Sequence, residues 1–147
     1  MVALQFYDVV LWVHIGAVVV AFGGVFTYPV WFSMVRGWNP DQRGAFHAAQ
    51  SRIGQFVISP GLVVIIAAGA YLASDRHYWS ESWVTVPLII AILLGALGGV
   101  YFAPRERRLG ELRQGPEYDG LFVQVRNVSY AAMLLVLIAA FFMVVKP

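Results

Sequence analysis

Four long apolar stretches, separated by short polar segments, account for most of the chain. They cover approximately residues 9–34, 56–74, 83–101 and 128–145. A helix needs about 20 apolar residues to cross the ~30 Å hydrocarbon core of a bilayer, and each stretch is close to that length or longer. None alternates apolar and polar residues as the strands of a membrane barrel do. The pattern therefore predicts an all-α fold, a four-helix transmembrane bundle that forms a single domain over residues 1–147.

Composition supports lipid as the main solvent of this chain. Charged residues make up only 12% of it and hydrophobic residues 60%, whereas soluble domains carry roughly 25% charged residues. The partner implied is the lipid bilayer and not nucleic acid, because the basic residues flank the apolar stretches. The sequence contains no cysteine, which excludes disulfides, iron–sulfur clusters and thiolate-ligated haem. The first stretch lacks a basic leader and a cleavage pattern, so we expect it to be retained.

The basic residues are distributed very unevenly between the two ends of the predicted bundle. Of the ten Lys and Arg residues, only Arg76 and Lys146 fall on the side that carries the termini. The others fall in or beside the two long loops: Arg36, Arg43, Arg52, Arg105, Arg107, Arg108, Arg113 and Arg126. Cytoplasmic loops of membrane proteins carry the excess of basic residues. We therefore expect a multi-pass protein of the plasma (inner) membrane with both termini outside.

Both long loops are predicted to be helical cytoplasmic extensions of the spans. Asn39 and Pro40 have the residue types of an N-cap and a first helical position, so the second helix should begin near Pro40. Residues 104–113 are also compatible with a helix, which residues 114–116 should end. Pro29 should kink the first helix towards its inner end.

His14 is the first candidate functional residue because it lies inside the first apolar stretch. An ionisable side chain in lipid is costly unless it faces protein, water or a ligand. At helical spacing His14 shares a face with Ala17, Ala21, Gly24 and Tyr28, and small residues favour close helix packing. This places His14 in the bundle interior. Its role is either that of a ligand or that of a neutral imidazole bonded to a helix carbonyl.

Further candidate ligands lie at a similar depth, in the outer third of the membrane. With both termini outside, His77 and Met143 should approach the level of His14, together with Asp8 and Trp12. Histidine and methionine ligate haem and also suit copper. The predicted cofactor-binding set is therefore His14, Met143 and His77, with His14 also as a metal ligand and haem b as a candidate cofactor. The alternatives are a solvated loop residue for His77 and apolar packing for Met143.

Other polar and small residues have structural interpretations. Ala91, Gly95 and Gly99 form a ladder that should pack against a neighbouring helix. His47 should be solvated on the cytoplasmic helix. The polar residues near the inner side form either interhelical hydrogen bonds or a polar vestibule; they are Thr27, Tyr28, Gln55, Ser59, Arg126, Asn127, Ser129 and Tyr130. No acidic residue lies deep in a span, which disfavours a proton-coupled transporter.

The order of several short motifs resembles known membrane families. LWVHIGAVVVAFGGVFTYPVW (residues 11–31) resembles the first helix of HemJ-type protoporphyrinogen oxidases and CopD-like copper-resistance domains. SRIGQFVISPGLVVIIAAGAYL (residues 51–72) resembles the stretch that follows in them. Nearly the whole chain is similar to a bacterial integral-membrane family classed as a domain of unknown function. That similarity includes Trp-Val at 83–84, Pro-Arg-x-x-Arg-Leu at 104–109 and Met-Val-Val-Lys-Pro at 143–147.

The resemblance implies a four-helix bundle with His14 at the position proposed as a haem ligand in the HemJ-type enzymes. Two departures limit what it implies about chemistry. Phe22 stands where those families carry Trp, and the lysine that begins their third helix is missing, with Pro87 near that place. Porphyrinogen oxidation is therefore not transferred to this chain. Copper import is not transferred either, because a Met- or His-rich ligand set is lacking.

Three functional hypotheses follow from the sequence. The first is a multi-pass plasma-membrane protein that binds b-type haem or a related redox or metal cofactor through His14, and is oxidoreductase-like if it is an enzyme. The second is a small transport or channel subunit that acts as a homo-oligomer. The third is a non-catalytic accessory subunit of a larger membrane complex.

Overall fold

The computed structural model describes residues 5–147, which form four long helices joined by short turns. The helices are α1 (Phe6–Val35), α2 (Pro40–Asp75), α3 (Ser82–Leu112) and α4 (Pro116–Val145). Each is long and apolar enough to cross a membrane, and no strand occurs among the described residues. The predicted all-α four-helix bundle is confirmed, and length and composition make this chain a multi-pass membrane protein.

The helices extend beyond the apolar stretches at the end opposite the termini, as predicted for two of them. At the start of α2, the Asn39 side chain accepts a hydrogen bond from the Gln42 backbone N–H (2.9 Å). The Gln42 side chain in turn accepts one from the Asn39 backbone N–H (3.1 Å). Helix α3 continues to Leu112 and ends where Arg113 adopts a left-handed conformation (φ 58°). Helix α4 begins at Pro116 and not near residue 128, an extension that the sequence analysis missed.

Both termini of the described chain lie at the same end of the bundle. The Arg76 guanidinium, after α2, lies 4.5 Å from the centre of the Tyr7 ring at the start of α1. The Ser82 hydroxyl, at the start of α3, donates to the Pro147 carbonyl (2.8 Å) beyond α4. We call this the terminal end and the opposite one the loop end. Which side of the membrane each end faces stays a prediction.

Close packing of α1 on α2 depends on small residues. A Cβ atom added at Gly61 would lie only 2.8 Å from the Cβ of Ala21, and Ala21 is buried. The predicted small-residue face of α1 is therefore confirmed at Ala21. It does not extend to Gly24, which is exposed and has open space beside it.

Three of the helices depart from α-geometry for about one turn. The departures are a 3₁₀ turn at Gly23–Thr27 and π-helical turns at Gly54–Ile58 and Leu97–Phe102. Each ends two residues before a proline: Pro29, Pro60 and Pro104, respectively. A proline donates no backbone hydrogen bond, and its ring clashes with the carbonyl four residues earlier. In each case that earlier residue lies inside the irregular turn, so the prolines account for all three departures.

Candidate functional site

A cavity of about 420 Å³ lies between the helices where the three irregular turns meet. Its apolar wall includes Phe22, Val25, Ile58, Leu62, Leu94, Phe102, Ala132 and Val136. Its polar residues are Tyr28, Gln50, Ser51, Gln55, Ser59, Glu106, Arg107 and Ser129. An apolar cavity of this size with a few polar groups has the typical composition of a small-molecule site.

Glycines of α3 enlarge this cavity. Gly95, Gly98 and Gly99 all line it, and a Cβ atom added at any of them would meet nothing within 4 Å. Ala91, one turn before Gly95, is buried in the core. The predicted packing of this ladder is therefore correct at Ala91 and wrong at Gly95 and Gly99, which border open space.

Two serines on the cavity wall do not tie the helices together. The Ser59 hydroxyl donates to the Gly54 carbonyl (2.9 Å), and the Ser129 hydroxyl donates to the Val125 carbonyl (2.8 Å). Both hydrogen bonds stay within one helix. Of the two sequence interpretations, these serines fit the polar vestibule and not interhelical bonding.

A buried hydrogen-bonded cluster joins α2, α3 and α4 at the loop end of the cavity. His47 is fully buried; its Nδ1 lies 2.6 Å from Glu106 Oε2, and its Nε2 lies 3.0 Å from the Tyr118 hydroxyl. The prediction of a solvated His47 is therefore wrong. With Glu106 ionised, Nδ1 donates to the carboxylate, and Nε2 of the neutral ring accepts from the phenol.

Glu106 belongs both to this cluster and to the cavity wall. The residue is only 7% exposed, and one carboxylate oxygen is held by His47. The other oxygen has no hydrogen-bond partner within residues 5–147. Every buried polar side-chain atom in that range has a hydrogen-bond partner. Because this oxygen has none, it is accessible and not buried. Glu106 therefore offers a free acceptor at the polar end of an apolar cavity.

The sequence did contain a signal for this cluster. Gly44 lies three residues before His47, and Gly110 lies four residues after Glu106. A Cβ atom at Gly44 would lie 2.8 Å from Arg113 Nε, and one at Gly110 would lie 3.6 Å from His47 Cβ. Small residues beside polar ones on both segments indicate close contact between them.

A second, smaller cavity of about 170 Å³ adjoins Tyr118. It is lined by Arg36, Arg43, Tyr118, Asp119, Phe122 and Val123. The Arg43 guanidinium lies 5.1 Å from the centre of the Tyr118 ring and donates to the carbonyls of Val35 (3.3 Å) and Arg36 (2.7 Å). Arg43 thereby satisfies carbonyl groups at the end of α1.

His14 lies in the interior, as predicted. It is 8% exposed, and its Nδ1 lies 2.9 Å from the Ile65 carbonyl of α2. Because a carbonyl only accepts, Nδ1 carries the proton and Nε2 keeps its lone pair. Gly69 makes room for the ring, since a Cβ atom there would lie 3.1 Å from His14 Cε1. This geometry fits both the structural interpretation of His14 and the interpretation as a ligand.

His77 and Met143 are not linked to His14 by hydrogen bonds among the described residues. His77 is exposed in the turn after α2, with φ 58°, and its Nδ1 lies 3.0 Å from the Ser74 carbonyl. Met143 is half-buried near the end of α4. Within residues 5–147 no group of three or more His, Cys, Asp or Glu side chains is placed to hold a metal ion. The ligand roles of these three residues stay predictions.

Comparisons with protein-family models, with curated proteins and with solved structures found no match to this chain. The family resemblance, the haem cofactor and the homo-oligomer or larger-complex partners therefore stay predictions.

Proposed function

We propose that this protein resides in a bacterial plasma membrane and binds a small amphipathic molecule from the lipid phase in the 420 Å³ cavity. The observation that carries the proposal is the meeting of the three irregular helical turns around this cavity. Irregular backbone at membrane depth is tolerated where it is buried in protein or lines a cavity. Short π-helical turns also occur frequently at functional sites.

The wall of the cavity indicates the chemistry of the ligand. Leu62, Leu94 and Val136 line its apolar part and suit a hydrocarbon or ring system. At the loop end, the free oxygen of Glu106 accepts a hydrogen bond, so the matching ligand group carries O–H or N–H. A ligand with an apolar body and a donor at one end fits both features.

Filling the cavity tests this proposal. In Gly98→Leu the new side chain would occupy cavity space without meeting a neighbour at its Cβ. We expect native mass spectrometry of protein released from its own membranes to detect a small-molecule adduct on the wild type and to lose it in Gly98→Leu. Gly24→Leu is the matched control, because Gly24 also borders open space but does not line the cavity.

Two results would contradict the proposal. One is wild-type protein without any small-molecule adduct when released under conditions that retain bound phospholipid. The other is Gly98→Leu protein that keeps the same adduct at the same occupancy as Gly24→Leu.

Haem or a related cofactor at His14 is a second candidate. The observation that favours it is the hydrogen bond from His14 Nδ1 to the Ile65 carbonyl. Ligating histidines commonly donate their second ring N–H to such a group, which fixes the ring and leaves Nε2 for the metal. With Nδ1 bonded to the carbonyl, Nε2 of His14 would be the ligating atom, and haem would supply one-electron redox chemistry when bound.

An absorption spectrum tests the second candidate. We expect protein made in haem-replete cells to show a Soret band that His14→Ala abolishes. Val19→Ala serves as the control, because Val19 lies on the same helix and its side chain is exposed. A wild-type spectrum without a Soret band contradicts haem binding, and a band unchanged in His14→Ala contradicts ligation by this residue.

A further inference from the structure

The Tyr118–His47–Glu106 cluster connects the two cavities of the protein. Tyr118 lines the smaller cavity at the loop end, and Glu106 lines the larger one between the helices. The ring of His47 bridges them, with hydrogen bonds of 3.0 Å to Tyr118 and 2.6 Å to Glu106. A hydrogen-bonded chain therefore joins a residue of one cavity wall to a residue of the other.

We propose that this chain is a proton relay that protonates or deprotonates the polar end of the bound ligand from the loop end. The relay rests on the proposed function for its final acceptor. In the inward direction, water in the smaller cavity gives a proton to the Tyr118 oxygen as the phenolic proton passes to His47 Nε2. The Nδ1 proton then passes to Glu106 Oε2, and neutral Glu106 donates a proton to the ligand. One proton enters and one leaves, so the three residues end with unchanged net charge. Rotation of the carboxyl group turns the proton from His47 towards the ligand before it is donated. Rotation of the tyrosine hydroxyl and of the imidazole ring then resets the chain.

The surroundings of His47 favour proton transfer through its ring over proton transfer by water that diffuses past it. Its ring contacts those of Phe46 and Phe122, with centroids 5.2 Å and 6.3 Å away. These aromatic rings surround the imidazole and leave its two nitrogens as the polar connection. A ligand that filled the large cavity would exclude water from Glu106 on that side. Protons would then reach the carboxylate through His47.

Arg36, Arg43 and Asp119 are the charged residues that line the smaller cavity beside Tyr118. The Arg43 guanidinium lies 5.1 Å from the centre of the phenol ring. Its positive charge favours the transient negative charge on the tyrosine oxygen when the phenolic proton leaves first. Arg107 lines the large cavity, and its Nε donates to the Ala103 carbonyl (3.4 Å).

The relay can be measured without knowing the ligand, in the Gly98→Leu protein, whose added side chain takes up part of the large cavity. In Gly98→Leu protein in lipid nanodiscs, time-resolved infrared spectroscopy after a pH jump reports how fast the Glu106 carboxyl group gains its proton. Glu106→Gln identifies the band. We expect Tyr118→Phe to slow this step at least about tenfold. Tyr130→Phe is the matched control, because Tyr130 lies on the same helix, is exposed and is not part of the chain.

Equal rates of Glu106 protonation in Tyr118→Phe and Tyr130→Phe would overturn the relay, whether both variants are slowed or neither is. If Tyr118→Phe does not fold, 3-fluorotyrosine at position 118 keeps the hydroxyl but changes its acidity. The rate should then change with fluorotyrosine at 118 and not at 130, and an unchanged rate at 118 overturns the relay. The readout does not involve the natural ligand. Absence of a ligand adduct would thus refute the proposed function and leave the relay measurement valid.

Discussion

At the scale of single residues, His47 is the side chain whose removal should cost the most stability. Both of its ring nitrogens are hydrogen-bonded and the residue is fully buried. His47→Ala would leave the Glu106 carboxylate and the Tyr118 hydroxyl without their shared partner. Removing one member of a buried polar pair costs about 3 kcal/mol. We expect the midpoint of SDS-induced unfolding in mild detergent to fall accordingly.

A second histidine provides the control for this prediction. His77 is exposed with a left-handed backbone, and asparagine tolerates that conformation well. His77→Asn should change the free energy of unfolding by less than about 0.5 kcal/mol. Equal unfolding midpoints for His47→Ala and His77→Asn would contradict the structural role given to His47.

The two buried histidines also show what single-sequence reasoning can predict about a site. The interior position of His14 follows from its own helix, because the cost of lipid exposure and the small residues beside it are local properties. His47 lies in a polar segment that by itself indicates solvent. Its burial depends on Glu106 and Tyr118, which are 59 and 71 positions away in the chain. The glycines on these segments indicate close packing, but a sequence without aligned relatives does not reveal which segments meet.

At the scale of helices, the α1–α2 contact should be the least tolerant of added volume. A Cβ atom at Gly61 would lie 2.8 Å from Ala21 Cβ and 3.6 Å from Ala21 Cα, so both backbones would have to move. Overpacking of this kind costs about 1–3 kcal/mol. We expect Gly61→Ala to lower the unfolding midpoint.

Gly95→Ala is the matched control, because Gly95 lies within a long apolar helix but borders the open cavity. Alanine also favours helix over glycine by about 1 kcal/mol, so Gly95→Ala should preserve or raise stability. If Gly61→Ala proved as stable as Gly95→Ala, the close α1–α2 contact would be wrong.

Helix boundaries were predictable where the signals are local, and the cavity was not. The capping box at Asn39 and the end of α3 at Leu112 follow from adjacent residues. Prolines within apolar stretches indicate helix irregularities, and Pro29 was interpreted in that way. The meeting of irregular turns from three helices around one space depends on how the helices are aligned with one another. Hydropathy carries no information about that alignment.

At the scale of the whole molecule, the positive-inside rule predicts the orientation of the bundle. The eight arginines in or beside the long loops should keep the loop end in the cytoplasm, leaving only Arg76 and Lys146 to the outside. The proposed relay would then draw its protons from the cytoplasm. Because the native chain has no cysteine, a single introduced cysteine is the only thiol that can be labelled. Its labelling shows on which side of the membrane that position lies. Ser80 and Gln114 are exposed in the turns after α2 and α3, respectively. We expect a membrane-impermeant maleimide to label Ser80→Cys in intact cells. Gln114→Cys should be labelled only after the membrane is permeabilised. Labelling of Gln114→Cys alone in intact cells would reverse the orientation and place the proton source of the relay outside. Labelling of both sites in intact cells would indicate a mixed orientation, which the strong arginine bias does not allow.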